Sequence, residues 1–327
     1  MSKMDVFVTV VVPLRNNAEI LRPFLKETLD VLRDSYANYE MVLVDDASED
    51  GTLEEVKKLL TSEECLRVIR LSRSYGRDVA ISAGLESSIG DFVVVMSPDT
   101  DPPSLIPEMI RHCRDGSGIV SGVSLVPSQR SAPGSVLAAL FHWYVRRFLG
   151  VDLIPDSTDF RVLSRQVVNA VTQIKGRYRQ LRLITSSVGF QKNSFSYTPL
   201  NRSGRLEKRS LAREVSEGIE LIVLNSLHPL RFVSLIGLLA GTVNLLYLGY
   251  VVAIYLFKDD VAEGWTTLSL QHGIMFFWIF VILTLLCEYV GRILDQSRER
   301  PLYFIQDELN SSVLLSDTTR RNVVREE

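Results

Sequence analysis

The chain has 327 residues but only three cysteines and four histidines. Cys65, Cys113 and Cys287 are far apart with no CxxC pair, and His112, His142, His228 and His272 form no cluster. A disulfide framework and the ligand spacing of a zinc site are thereby excluded, and the cysteines read as reduced packing residues. Charge of one predominant sign is also lacking: 36 Lys and Arg stand against 39 Asp and Glu, a formal net charge of -3. With no global basic footprint, nothing points to a dedicated nucleic-acid binder. Glycine-rich phosphate loops are missing too. There is no GxxxxGK[ST], and Gly116-Ser-Gly118-Ile-Val-Ser-Gly122 has one intervening residue too many for GxGxxG and precedes a strand pattern instead of following one. A bound nucleotide would therefore have its phosphates neutralised by metal and arginine, without a glycine cradle.

Charge is absent from two long runs. Residues 232–257 and 264–287 contain no charged side chain, and the acidic connector between them, KDDVAEG, is short. Each run reaches the roughly 20 residues needed to cross a bilayer core, so they predict a transmembrane hairpin with spans at about 232–257 and 266–288. Arg209, Arg213 and Arg231 precede the first span and Arg292, Arg298 and Arg300 follow the second. By the positive-inside rule both termini are expected on the cytoplasmic side, with the chain in the cell (inner) membrane. The mean hydropathy of +0.13 thus averages a charged α/β part and a hairpin almost empty of charge. The domains expected are a catalytic domain over 1–228, the hairpin over 229–295 and a cytoplasmic tail over 296–327. Near 134–149, Val136, Leu137, Leu140, Phe141, Tyr144 and Phe148 share a helical face beside Arg146 and Arg147. This is consistent equally with an interfacial helix and with a core helix.

In the first hundred residues strand and helix patterns alternate. Val6–Val12, Met41–Val44, Val68–Leu71 and Phe92–Met96 are short Val-, Ile- and Leu-rich runs, as strands buried on both faces should be. Between them, Leu21, Phe24, Leu25, Leu29 and Leu32 recur at helical spacing, Thr52 and Glu55 have capping-box spacing, and Asp78–Leu85 reads as a further helix. A parallel, doubly wound α/β sheet follows, whose ligands bind beyond the carboxyl ends of the strands. Those positions hold Pro13, Arg15 and Asn16 after the first strand, Asp45, Asp46 and Ser48 after the second, Arg73 after the third, and Ser97-Pro98-Asp99-Thr100-Asp101-Pro102-Pro103 after the fourth. Asp99 and Asp101, one residue apart on a loop stiffened by prolines, can hold a hard divalent cation that keeps waters and binds phosphates.

VTVVVPLRNN, VDDASEDGT and LSRSYGRDVAISAGLESSIGDFVVVM resemble the corresponding stretches of the family 2, GT-A fold glycosyltransferases, whose second motif is VDDGSxDGT. DFRVLSRQVV, HPLR and EYVGRILDQSRERPLYF resemble the branch that acts on polyprenyl phosphates, undecaprenyl or dolichyl phosphate, through a two-helix membrane anchor. The resemblance implies a GT-A mixed sheet with flanking helices, and inverting transfer from a nucleotide sugar, UDP- or GDP-linked, to a polyprenyl phosphate in the bilayer. It implies Mg²⁺ or Mn²⁺ on Asp99 and Asp101; a nucleotide pocket at Pro13, Arg15, Asn16, Asp45, Asp46 and Arg73; Asp159, with Arg161, facing the acceptor; an acceptor-phosphate loop near 201–210 carrying Arg202, Arg205, Lys208 and Arg209; and a homo-oligomer. Two departures stand out. The family's DADLQDPP is here the shorter SPDTDPP, and its YNE is Arg15-Asn16-Asn17. The alternative left open by these changes is a catalytically silent membrane scaffold that binds nucleotide without turnover. A phosphate acceptor is already mostly dianionic at neutral pH, so Asp159 is needed less as a base than to orient a cation against that phosphate.

Overall fold

The computed structural model describes residues 3–126, 157–174, 180–204 and 301–313, with Arg147 and scattered positions between 239 and 293. Contacts divide the chain into two units: Met1–Lys208 together with Pro301–Glu327, and Arg209–Arg300. In the first unit the strands are β1 (Met4–Leu14), β2 (Tyr36–Asp45), β3 (Leu66–Leu71), β4 (Phe92–Val95), β5 (Ile119–Ser124), β6 (Ser157–Ser164), β7 (Lys192–Tyr197) and β8 (Ile305–Asn310). They form one mixed sheet in the order β7-β5-β6-β4-β1-β2-β3-β8. The helices are α1 (Ala18–Ser35), α2 (Thr52–Ser62), α3 (Arg77–Ser87), α4 (Ile106–Arg114), α5 (Arg165–Gln173) and α6 (Leu181–Ser187).

The central four strands, β4-β1-β2-β3, are parallel, and Val8, Val10, Val11 and Val12 of β1 are fully buried because helices cover both faces. One core joins the even-numbered valines of β1 to α1, α2 and α4; the other joins Val11 to α3, α5 and α6. Alternation along the strand thus sorts side chains between two helical layers. Strand order reverses between β1 and β4, so their carboxyl ends flank the crevice that a doubly wound sheet offers a ligand. β6 runs antiparallel to β4 with Val95 opposite Arg161, which brings the start of β6, including Asp159, to the same rim.

Three differences from the sequence reading are local. β2 starts at Tyr36, five residues before the expected run Met41–Val44, and Tyr36 is fully buried in the core that includes α1. The expected capping box is not used: Gly51 is the N-cap of α2, and the Thr52 hydroxyl bonds Asp50 instead. The chain after residue 296, expected as a tail, supplies β8, antiparallel to β3. Among the described residues no helix is long and apolar enough to cross a membrane. The expected spans fall outside the described residues except at isolated positions, and those, from Leu239 to Ile293, are helical. The interfacial segment near 134–149, Arg147 excepted, and Arg205, Lys208 and Arg209 also lie outside them.

Candidate active site

The rim is built from loops that follow parallel strands, and acidic side chains stitch these loops together. Asp46 is nearly inaccessible. Its Oδ1 accepts from Tyr75 N at 2.6 Å, and its Oδ2 accepts from Ser74 Oγ at 2.8 Å, Gly76 N at 3.0 Å and Arg15 Nη1 at 3.2 Å. It therefore fixes the loop between β3 and α3, which turns at Gly76 with φ 97°, a conformation that favours glycine. Asp45 accepts from Ser48 N at 3.1 Å through Oδ1, while among the described residues no hydrogen-bond donor reaches its buried Oδ2, which faces Arg70 Nε at 3.7 Å. Asn16 adopts φ 54° and links the first two loops, its N–H donating to Ser48 Oγ and its Oδ1 accepting from Glu49 N, both at 3.0 Å. Pro13 is buried in β1 opposite Val44, and Arg73 lies over the Tyr75 ring at 4.8 Å.

Asp99 and Asp101 differ sharply. Asp99 is half-buried; its Oδ1 accepts from Ser203 N at 2.7 Å, and among the described residues no donor reaches its Oδ2. Asp101 is 1% exposed. Its Oδ2 accepts from Ser97 N at 2.7 Å, and its Oδ1 from Thr100 Oγ1 and Tyr197 Oη, each at 2.8 Å. Burial pushes the Asp101 carboxyl above its ordinary range despite these donors. Arg202 clasps the same loop: Nη1 donates to Pro98 O at 2.9 Å and Asp101 O at 3.1 Å, and Nη2 to Glu27 Oε2 at 2.6 Å. Expected to face an acceptor phosphate, its guanidinium is instead 5.4 Å from the Phe24 ring and occupied with the loop.

Beside this loop lies a partly buried charge cluster. Asp159 pairs with Arg182 Nε at 2.9 Å and Arg77 Nε at 3.2 Å. Burial would raise its carboxyl, but Arg182 and Arg77 outweigh burial and hold it at about 2. Asp78 is pushed up to about 6, first by burial and then by the charge of Asp159. Arg161, 3% exposed, is lowered to about 10 by burial; it donates to Thr185 Oγ1, to Thr158 O at 3.2 Å and to Ser157 Oγ at 3.4 Å. With Ser121, Ser186 and Lys192 it lines a small pocket of about 10 Å³. Tyr197 Oη, 3.0 Å from Thr158 Oγ1, joins this cluster to the Asp101 loop. Together the rim presents an open carboxylate oxygen beside several cations, suited to binding a cation–phosphate pair.

Sequence reasoning missed Arg77, Asp78, Arg182, Tyr197 and Ser203. The first two directly follow the Gly76 turn at a strand's carboxyl end, which was a usable signal. Arg182 comes from α6, Tyr197 from β7 and Ser203 from the segment after β7, elements that only the sheet order brings to the rim.

Residues 9–171 match the Glycosyl transferase family 2 description. The chain carries a family 2 glycosyltransferase domain. This glycosyltransferase is 27% identical to an undecaprenyl-phosphate 4-deoxy-4-formamido-L-arabinose transferase of Pectobacterium carotovorum, covering 96% of this chain and 97% of that one. It is 26% identical to the bactoprenol glucosyl transferase of Shigella phage SfV, over 92% and 98% of the two chains. Among solved structures it is similar to a Mycobacterium tuberculosis glucosyl-3-phosphoglycerate synthase crystallised with Mn²⁺, UDP-glucose and phosphoglyceric acid. There the identity is 16% and the TM-score 0.46, over 67% of this chain and 78% of that one.

Proposed function

We propose that this glycosyltransferase moves a sugar, with inversion, from a nucleotide sugar to a polyprenyl phosphate, on a GT-A sheet held at the cytoplasmic face of the membrane by a C-terminal hairpin. The observation that carries the reading is the juxtaposition, on one rim, of the half-open Asp99 carboxylate with the Asp159–Arg77–Arg182 cluster. Relatives matched nearly end to end and named for undecaprenyl phosphate or bactoprenol support the choice of acceptor. Support for the hairpin comes from the two uncharged runs and from exposed Ile279, Leu283, Leu286, Val290 and Ile293, which recur at helical spacing among described helical positions.

Mg²⁺ or Mn²⁺ held at Asp99 would neutralise charge developing on the departing nucleoside diphosphate. The protein's own part is positional. Arg77, Arg161 and Arg182 face the ionised Asp159 and Asp78, which at about 6 is mostly ionised at neutral pH, so the cluster keeps one guanidinium in excess and can present positive charge to a phosphate. No strong base is required, because the acceptor arrives mostly deprotonated. The decisive test is incubation of the full chain in membranes with a panel of UDP- and GDP-sugars, a polyprenyl phosphate and Mg²⁺ or Mn²⁺, with mass analysis of the lipid. A glycosylated lipid phosphate is the expected product, abolished in Asp99→Asn with membrane insertion intact. Nucleotide binding without any product would select the silent scaffold.

A further inference from the structure

We infer that the two acids of the SPDTDPP loop have separate tasks: Asp99 alone offers a carboxylate to a divalent cation, and Asp101 is a positioning residue that fixes the loop on which Asp99 stands. This rests on the proposed binding of a nucleoside diphosphate with a divalent cation at the rim.

A hard cation that also takes phosphate oxygens and water needs a protein carboxylate with an accessible lone pair. Asp101 does not offer one. Both its oxygens accept from Ser97 N, Thr100 Oγ1 and Tyr197 Oη, at 2.7 to 2.8 Å, and the residue is 1% exposed. Joining a cation would mean breaking those bonds, leaving buried donors without an acceptor. Its backbone serves the same end, Asp101 N donating to Ser97 O at 3.2 Å and Asp101 O accepting from Arg202 Nη1 at 3.1 Å. Asp99 is held from the other side. Arg202 N donates to Asp99 O at 3.2 Å, Leu200 N to Thr100 O at 2.8 Å and Ser203 N to Asp99 Oδ1 at 2.7 Å, while among the described residues no donor reaches Oδ2. Among the described residues no group of three or more His, Cys, Asp or Glu surrounds it. A cation held by one protein carboxylate must complete its coordination from the donor's phosphates and water, so it is captured with the nucleotide and poorly without it.

The test follows protein-bound Mn²⁺ by electron paramagnetic resonance on the full-length chain, with and without UDP or GDP, alongside thermal melting and initial rates. In the wild type, Mn²⁺ alone is expected to bind weakly, and the nucleotide to tighten binding at least tenfold beyond the nucleotide's own chelation. Asp99→Asn should lose that protein-bound signal at unchanged melting temperature. Asp101→Asn, which keeps an oxygen for Tyr197 and Thr100, should melt several degrees lower yet bind Mn²⁺ within threefold of wild type. Should Asp101→Asn fail to fold, Tyr197→Phe removes one of the two donors to Asp101 Oδ1 and is expected to leave Mn²⁺ affinity unchanged. Loss of Mn²⁺ binding in Asp101→Asn at a normal melting temperature, or tightened Mn²⁺ binding in Tyr197→Phe, overturns the division of tasks alone. Absence of nucleotide-dependent Mn²⁺ binding in the wild type overturns it together with the metal part of the proposed function.

Discussion

Ala47 sits between Asp46 and Ser48 with φ 53°, in the left-handed region where a Cβ is strained. The family motif that this stretch resembles has glycine there. Ala47→Gly should therefore raise stability by about 1 kcal/mol, measured by thermal or urea unfolding, since relief of strain outweighs the extra freedom given to the unfolded chain. The Asp78–Asp159 pair makes a prediction of the opposite character, in pH. Asp78 titrates higher folded, at about 6, than in an unfolded chain, so its contribution to stability is complete below the ordinary carboxylate pKa and is lost as pH rises through 6. Asp159 is held at about 2, so its contribution is present above the ordinary value and is lost as pH falls toward 2. Asp78→Asn should accordingly gain melting temperature relative to wild type at pH 8 and not at pH 4; an equal offset at both would remove the titration from the account.

At the scale of elements, α3 is pressed against β1. A Cβ on Gly84 would lie 2.3 Å from Val11 Cγ1 and 3.2 Å from Val44 Cγ2, in the middle of a core with no slack. Gly84→Ala is expected to cost about 1 to 3 kcal/mol in spite of its better helix propensity, a sign that chemical denaturation would reveal directly. Elements of this kind were legible. The period of Leu21, Phe24, Leu25, Leu29 and Leu32 fixed α1, and the Val-rich runs marked four parallel strands, because local pattern and burial agree there. Asp99 and Asp159 could be singled out from their position in motifs, and the sheet brings both to one rim. What could not be read was the fate of Asp101 and Arg202: each looks like a ligand-binding charge in sequence, and each is occupied by partners from 96 and 175 positions away. Long-range hydrogen bonding leaves no periodic trace.

For the whole molecule, the informative element is β8. It is polar and mostly exposed, IQDELN, so neither hydropathy nor alternation distinguishes it from a tail. Yet it covers the β3 edge over Arg67–Leu71, reinforced by Arg67 Nε on Glu308 Oε1 at 2.6 Å and by Ser311 Oγ accepting from Leu66 N at 3.1 Å. Truncation after residue 300 should leave β3 as an open sheet edge. Amide hydrogen exchange is expected to rise in residues 67–71, with greater self-association by light scattering.

The pairing of β3 with β8 also imposes an order on biosynthesis. The two strands are more than 230 residues apart, so the sheet remains unfinished while everything between them is made, including both uncharged runs. A nascent chain carries an unpaired strand edge throughout that interval and closes it only when Ile305–Asn310 emerges from the ribosome. Completion of the catalytic unit thus waits for residues 305–310, and a chain terminated before them that has made every rim residue still lacks the strand that seals its sheet.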